Sequence, residues 1–403
     1  MPCSNWRTSQ VSVADADDAG VTIESRDYLA AMASNETSSW DVLIDRDDLH
    51  HIAIADVDPR PLQDGEARLA IDAFGLTANN ITYAAYGDMI GYWGFFPAAA
   101  GNDSTNWGRV PVWGFADVVE STVGTLPVGA RVYGYLPMST ELIIEPARVN
   151  DSGFFDASAH RAALPATYNR YSLTSGDARY SPELEDAQML LWPLFFTSFL
   201  IDDFLDDNDF FMTPGTERST VIATSASSKT AFGTAELLSK RDGITVVGLT
   251  SPGNVEFCES LGSYDRVLTY DQIDQLDADA PSVLIDFAGN RPVIVAVHDR
   301  VGDNLRHSAV IGGTHWDAEA GADPLAGPEQ TFFFAPTQIE KRRAEWGAAE
   351  LDARLGAAWT PFVERSKELL TVEHGNGPQA VTDRFLELLD GKTPPSIAHV
   401  LHP

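Results

Sequence analysis

The residues with the clearest capacity for chemistry lie in Ser219–Lys240, STVIATSASSKTAFGTAELLSK. Thr220–Thr224 is a short β-branched apolar run, the composition of a buried parallel strand. A turn of small hydroxylic residues follows, Ser225-Ala226-Ser227-Ser228-Lys229-Thr230, and then Phe232, Ala235, Leu237 and Leu238 recur at helical spacing. Strand, tight turn and helix in that order present unpaired backbone N–H groups and the positive end of a helix dipole, which suits a phosphate. Ser225, Ser227, Ser228 and Thr230 would add hydroxyls and Lys229 a cation. The next strand, Ile244–Leu249, closes a βαβ unit of about thirty residues, the size a dinucleotide site requires. A glycine fingerprint would fall on Ser225, Ser228 and Ala231, none of them glycine. A plain helix N-cap in an ordinary α/β domain therefore remains an equal reading of the turn.

The second strand ends Gly248-Leu-Thr-Ser-Pro-Gly-Asn254. It has no acidic residue to take a ribose 2′-hydroxyl, and Thr250, Ser251 and Asn254 offer small polar groups instead. Tyr168-Asn169-Arg170-Tyr171 is a dense polar–aromatic string in which Arg170 could clamp a carboxylate or phosphate, or serve as a salt-bridged linker arginine. Trp93, Phe95, Phe96 and Trp113 could line an apolar pocket or form core. His298, His307 and His315 share a region, but nothing in their spacing forces a metal site.

The chain's 403 residues suffice for two medium domains. The formal charge of −32 comes from 59 acidic against 27 basic residues. Such a surface disfavours nucleic acid and anionic membranes as partners and leaves a small molecule as the expected one. Two cysteines, Cys3 and Cys258, can build neither a disulfide framework nor a thiolate zinc site. The N-terminus has no apolar core for a signal peptide, and the longest apolar run, Met189–Ile201, is interrupted by Pro193, Thr197 and Ser198. A soluble cytoplasmic protein is expected.

The elements that must position these residues fall in a simple order. Residues 1–40 are polar and Asp-rich, with a weak helical run near Tyr28, and read as an N-terminal extension. Val42–Ile44, His51–Ala55, Ala67–Phe74, Val110–Val119 and Ala130–Leu136 read as strands, and Glu141–Pro146 ends the β-rich half. Ser181 and Pro182 open a long helix through Ile201. Val267–Tyr270, Ser282–Asp286 and Ala309–Ile311 then read as strands alternating with helices at Val255–Leu261 and Arg291–Arg300, which argues a parallel, doubly wound sheet. Gln338–Ala357, Pro361–Leu370 and Pro378–Leu389 read as helices, and Ala398–Leu401 as a last strand.

This order resembles the medium-chain dehydrogenase/reductase superfamily, in particular its zinc-free quinone oxidoreductase branch. The stretches that carry the likeness are ARLAIDAFGLTANNITYAAYG, VPVWGFADVVES, LPVGARVYGY, TVIATSASSKTAFGTAELL and ITVVGLTSPGNVEFCESLGSYDRVLTY. The local wording NNITYA, YWGFFPA, LPATYNRY, SASSKTA and FFFAP is more specifically similar to the domain-of-unknown-function family 2855. The resemblance implies an α/β fold, with a GroES-like β-rich catalytic domain over 41–180 completed by 371–403 and a Rossmann domain over 181–370. Zinc-dependent members need a Cys and a His-Glu pair where this chain has Thr77-Ala78-Asn79-Asn80 and Val112-Trp113-Gly114-Phe115, so no zinc is expected.

The resemblance puts Thr77, Asn80 and Tyr83 on the segment that reaches a nicotinamide, with Tyr83 as proton donor or carbonyl polariser and Asn80 as orienting group. Capping of a short helix by Asn79-Asn80 and packing of Tyr83 as a core ring are the competing roles. It also sets Thr197 across the interdomain cleft from the cofactor and Tyr270 on the adenosine side, which favours NADP(H). The activity implied is zinc-independent, NADPH-dependent reduction of an enone or quinone, with a possible homodimer. A noncatalytic nucleotide-binding or scaffold protein, or a lyase or isomerase using the same cleft, remains open at this point.

Overall fold

The computed structural model describes residues 39–98, 106–177, 179–312 and 324–403. Within Ser39–Pro403, one compact unit, a mainly antiparallel sheet forms first and a parallel sheet with two wholly buried central strands follows. The expected N-terminal extension and the Tyr28 helical run lie outside the described residues.

The first half supplies antiparallel strands. β1 (Ser39–Asp45), β2 (Ile52–Val57) and β4 (Trp107–Gly108) make a small three-stranded sheet. β3 (Ala67–Leu76), β5 (Pro111–Ser121), β6 (Arg131–Pro137), β7 (Glu141–Ile144), β8 (Pro146–Asn150), β9 (Gly153–Asp156) and β10 (Arg170–Leu173) make most of a nine-stranded sheet. Its other two strands come from the far end of the chain, β17 (Thr371–Asn376) and β18 (Ile397–His402). β18 pairs antiparallel with β3, His399 opposite Leu76 and Leu401 opposite Phe74. The β-rich part thus continues past Pro146, where the sequence pattern ended it, through β8–β10.

The second half is a six-stranded parallel sheet in the order β13-β12-β11-β14-β15-β16. Its strands are β11 (Ser219–Ala223), β12 (Ile244–Thr250), β13 (Arg266–Thr269), β14 (Ser282–Asp286), β15 (Leu305–Val310) and β16 (Gln330–Phe332). Every residue of β11 and β14 is buried, as central strands covered on both faces must be. The strand order reverses between β11 and β14, where open parallel sheets leave a crevice at the carboxyl ends of their strands.

The longer helices among the described residues are α1 (Ala78–Ala85), α2 (Glu185–Asp207), α3 (Lys229–Leu238), α4 (Val255–Leu261), α5 (Arg291–Val301), α6 (Ala335–Trp346), α7 (Ala348–Leu369) and α8 (Gly377–Leu389). α2 bridges the sheets. Its first half packs Met189, Leu190 and Phe195 with Phe115, Tyr133 and Val400 of the large sheet. Its second half packs Ile201 and Leu205 with Val221 and Ala223 of the parallel one. Gly75 lets the helix close on β3, because a Cβ there would stand 2.8 Å from the Met189 carbonyl oxygen. Phe195 is fully buried and stacks on Phe362 at 4.4 Å between ring centroids, a burial worth about 2–3 kcal/mol. The segment Pro182–Asp207 is long and apolar enough to cross a membrane by composition, yet 61% of its most apolar window is buried in this core. It is a core helix. The helix expected over Gln338–Ala357 is split by Gly347 at φ 82° into α6 and α7, and α7 runs on through Pro361.

Candidate active site

β11 delivers the chain to the sheet's crevice, and the residues after it are held by specific bonds. Thr224 Oγ1 donates to the buried carboxylate of Asp286 (2.5 Å) and accepts the N–H groups of Phe287 (2.9 Å) and Ala288 (3.2 Å). The ends of β11 and β14 are thereby tied together. Ser225 adopts φ 46°, the left-handed conformation a glycine would take, and its N–H donates to the Tyr270 hydroxyl at 3.2 Å. Ala226 then lies so close to β12 that only glycine fits at position 248, where a Cβ would meet that of Ala226 at 2.9 Å. Ser228 caps α3, its Oγ accepting the Ala231 N–H at 3.3 Å.

Three backbone N–H groups at this helix mouth, those of Ser227, Lys229 and Thr230, have no acceptor among the described residues. The hydroxyls of the turn bond elsewhere. Ser227 Oγ turns aside to accept from Asn254 Nδ2 at 3.1 Å, and Ser228 Oγ is taken up by the cap. Lys229, half-buried in the cleft wall, donates from Nζ to the Ile397 carbonyl at the start of β18 (3.0 Å). Burial pushes its ammonium down to about 8.

This turn opens into a cleft of about 510 Å³ that runs to α1 and the large sheet. Ser225, Ser227, Ser228, Lys229 and Thr230 line it, together with Thr250, Ser251, Asn254, Tyr270 and Thr197. All ten residues expected on the cofactor side therefore share one wall system. Thr197 Oγ1 donates within α2 to the Pro193 carbonyl at 3.2 Å.

At the other end Thr77 and Tyr83 line the cleft beside Asn79, Tyr92, Trp113 and Tyr168. Tyr83 meets Tyr92 edge-on at 4.7 Å and Tyr135 at 5.8 Å. Burial raises its hydroxyl above the ordinary phenol range, and the neighbouring polar groups of Trp113, Asn79 and Tyr135 oppose that rise. Tyr92 and Tyr168 share a hydroxyl–hydroxyl bond of 2.7 Å. Among its described lining residues Lys229 is the one charged side chain, in a protein of net charge −32.

Two expected site residues lie elsewhere. Asn80 is buried behind the wall: its Oδ1 accepts the Thr77 N–H at 2.8 Å, and its Nδ2 donates to the Pro111 carbonyl at 2.9 Å. It caps α1 and fastens it to β5. Arg170 sits half-buried on β10 and outside the cleft lining, donating to Ser152 Oγ at 2.9 Å with its guanidinium 5.8 Å from the Phe155 ring centre. From that string Tyr168 reaches the cleft instead. His298 bonds the Ala326 carbonyl (2.7 Å) and Ser308 Oγ (3.0 Å), His307 stacks on Phe211 at 4.4 Å, and His315 lies outside the described residues. No cluster of metal-ligating side chains exists among the described residues.

Other lining residues carried no signal in the sequence. Pro394, Pro395 and Ile397 reach the cleft only because the chain returns to pair β18 with β3. Trp192 and Phe196, one turn apart on α2, could have been found from their helical spacing with Thr197.

Sheet order, the bridging α2 and the returning C-terminal strand define a medium-chain dehydrogenase/reductase type of fold, GroES-like sheet and Rossmann sheet together. Residues 74–394 match the profile described as protein of unknown function (DUF2855), and the chain belongs to that family. No curated protein matches it. Among solved structures, CurA from Vibrio vulnificus in complex with NADPH is similar at a TM-score of 0.56 and 14% identity, covering 90% of this chain and 98% of its own. The yhdH oxidoreductase from Salmonella enterica in complex with NADP gives 0.52 and 14%, over 90% of this chain and 99% of its own. The Etr1p/NADP/crotonyl-CoA complex gives 0.52 and 13%, over 91% and 100%.

Proposed function

We propose that this protein is a cytoplasmic, zinc-independent, NADPH-dependent oxidoreductase that reduces a neutral conjugated carbonyl compound, an enone or quinone. The observation that carries the reading is one continuous cleft with two chemically different ends. One end has three unpaired N–H donors at a helix mouth and a lysine. The other is walled by tyrosine and tryptophan, with no carboxylate among the described lining residues to repel an anion.

The residues present fit the cofactor. The N–H groups of Ser227, Lys229 and Thr230 and the Lys229 ammonium would hold the pyrophosphate. Thr250, Ser251 and Asn254, with Tyr270 beside them, would take the adenosine ribose and its 2′-phosphate, where an acidic side chain would exclude that phosphate. Bound NADPH supplies a hydride. The chain's own part is to orient and to protonate. Thr77 and the aromatic walls hold a flat substrate, and Tyr83 polarises its carbonyl or gives the proton. With Lys229 the one cation among the described lining residues, substrates bearing phosphates, such as acyl-CoA thioesters, are disfavoured. Similar structures with NADPH or NADP bound support the cofactor assignment. Two copies paired along the free edge of β16 would make the homodimer.

The test is NADPH oxidation followed at 340 nm with a panel of neutral enones and quinones, before and after treatment with a chelator. Turnover insensitive to the chelator is expected. Tight NADPH binding with no turnover across the panel would favour the isomerase or noncatalytic reading instead.

A further inference from the structure

The tyrosine at the apolar end has neighbours whose hydrogen-bonding groups are otherwise unused. Trp113 Nε1 is buried and makes no hydrogen bond of good geometry, and neither does the Tyr135 hydroxyl, whose residue is fully buried. Tyr135 packs against Tyr83, and Trp113 packs against Tyr135. The Tyr135 ring lies 5.8 Å from that of Tyr83, and the Trp113 ring 4.9 Å from that of Tyr135. A buried donor left unmade costs free energy, so two of them on adjacent side chains call for a reason. Asn79, on the first turn of α1, faces the same point from the cleft side.

We infer that Trp113 and Tyr135, with Asn79, are positioning residues that form a donor cage around the Tyr83 oxygen and hold the negative charge left there when Tyr83 gives up its proton. The inference rests on the reductase reading above. In that reaction a hydride from NADPH adds to the substrate's conjugated carbon, leaving an enolate and NADP⁺. The Tyr83 O–H bond breaks, its proton goes to the enolate, and its electron pair stays on the phenolic oxygen. Water later returns a proton to Tyr83. With no cation among the described lining residues at this end, a bare phenolate would be poorly solvated. Three neutral donors, two of them lacking other partners, supply the missing solvation in advance. The direction of the hydrogen-bonding effects agrees: each of the three opposes the upward push of burial on Tyr83.

The experiment uses the full chain labelled with ¹³Cζ-tyrosine, the Tyr83 resonance being assigned by Y83F. W113F and Y135F each remove one donor and keep an aromatic ring. Tyr133→Phe, whose hydroxyl donates to the Gln188 carbonyl at 3.1 Å, is the packing control. The expected result is that W113F and Y135F move the Tyr83 titration to higher pH and Y133F leaves it in place. In turnover assays, W113F and Y135F should lower kcat about tenfold, shift the alkaline limb of the pH profile upward and leave the KM for NADPH unchanged. A Tyr83 titration that does not move in either folded variant overturns the inference, whether or not the enzyme turns over. Absence of turnover in the wild type, with the titration shifts present, refutes the reductase reading and leaves the cage standing.

Discussion

Replacing Lys229 by methionine separates fold from function in opposite directions. Burial lowers this ammonium from 10.5 to about 8, and its acceptor is a backbone carbonyl rather than a carboxylate. A lysine depressed on folding binds fewer protons in the native than in the unfolded chain between pH 8 and 10.5, so its contribution to stability rises with pH across that window. Below pH 8 the full penalty is present, about 3 kcal/mol from the size of the shift. K229M removes it, and at pH 7 the protein should melt roughly 2–4 °C higher, the gain disappearing above about pH 10.5. Binding moves the other way. A charge-assisted bond to phosphate is worth about 1.5–3 kcal/mol, so the dissociation constant for NADPH should rise roughly 10- to 150-fold. In the wild type that constant should stay flat below pH 8 and then rise tenfold per pH unit, as the free protein loses the proton. In K229M the slope should vanish. Calorimetric titration with NADPH at pH 6.5 to 9.5, alongside scanning calorimetry, measures both effects. K229M that binds NADPH like the wild type, or keeps the pH slope, would refute the phosphate role.

Other substitutions follow from the same geometry. Y83F should cut kcat by about 10²–10⁴ while the NADPH dissociation constant stays within about twofold, read by steady-state kinetics and fluorescence titration. N80A removes a buried side chain that bonds Thr77 and Pro111, and should cost about 2–4 kcal/mol in urea unfolding while leaving kcat of the folded fraction near wild type. At Ser225, φ 46° should tolerate glycine to within about 1 kcal/mol, whereas S225V should lose about 1–2 kcal/mol and weaken NADPH binding.

Much of the fold was legible because its strongest signals are local. Val221–Ala223 and Val283–Ile285 are uninterrupted apolar runs, and they form adjacent central strands. Strands that depend on tertiary pairing were not. β8 and β9 are only five and four residues long, with Arg148 at φ 54° breaking their alternation. β17 is a mostly exposed edge strand whose Glu373, His374 and Asn376 look like loop residues. The helix-mouth end of the cleft was readable because turn chemistry is consecutive in the chain. The tyrosine end was harder. Asn80 and Tyr83 stand three residues apart, and only the helix orientation turns one into the structure and the other into the cleft. The near-absence of charge in the cleft was invisible, since 59 acidic residues in sequence do not reveal where none of them go.

The most direct test of the account is a titration of the wild-type protein with NADPH at pH 7, following energy transfer from tryptophan to the reduced nicotinamide. Trp113 and Trp192 both line the cleft, so a bound nicotinamide should quench them strongly. The account predicts saturable 1:1 binding in the micromolar range, weakened by added NADP. A folded protein that shows neither quenching nor energy transfer up to millimolar NADPH would contradict it.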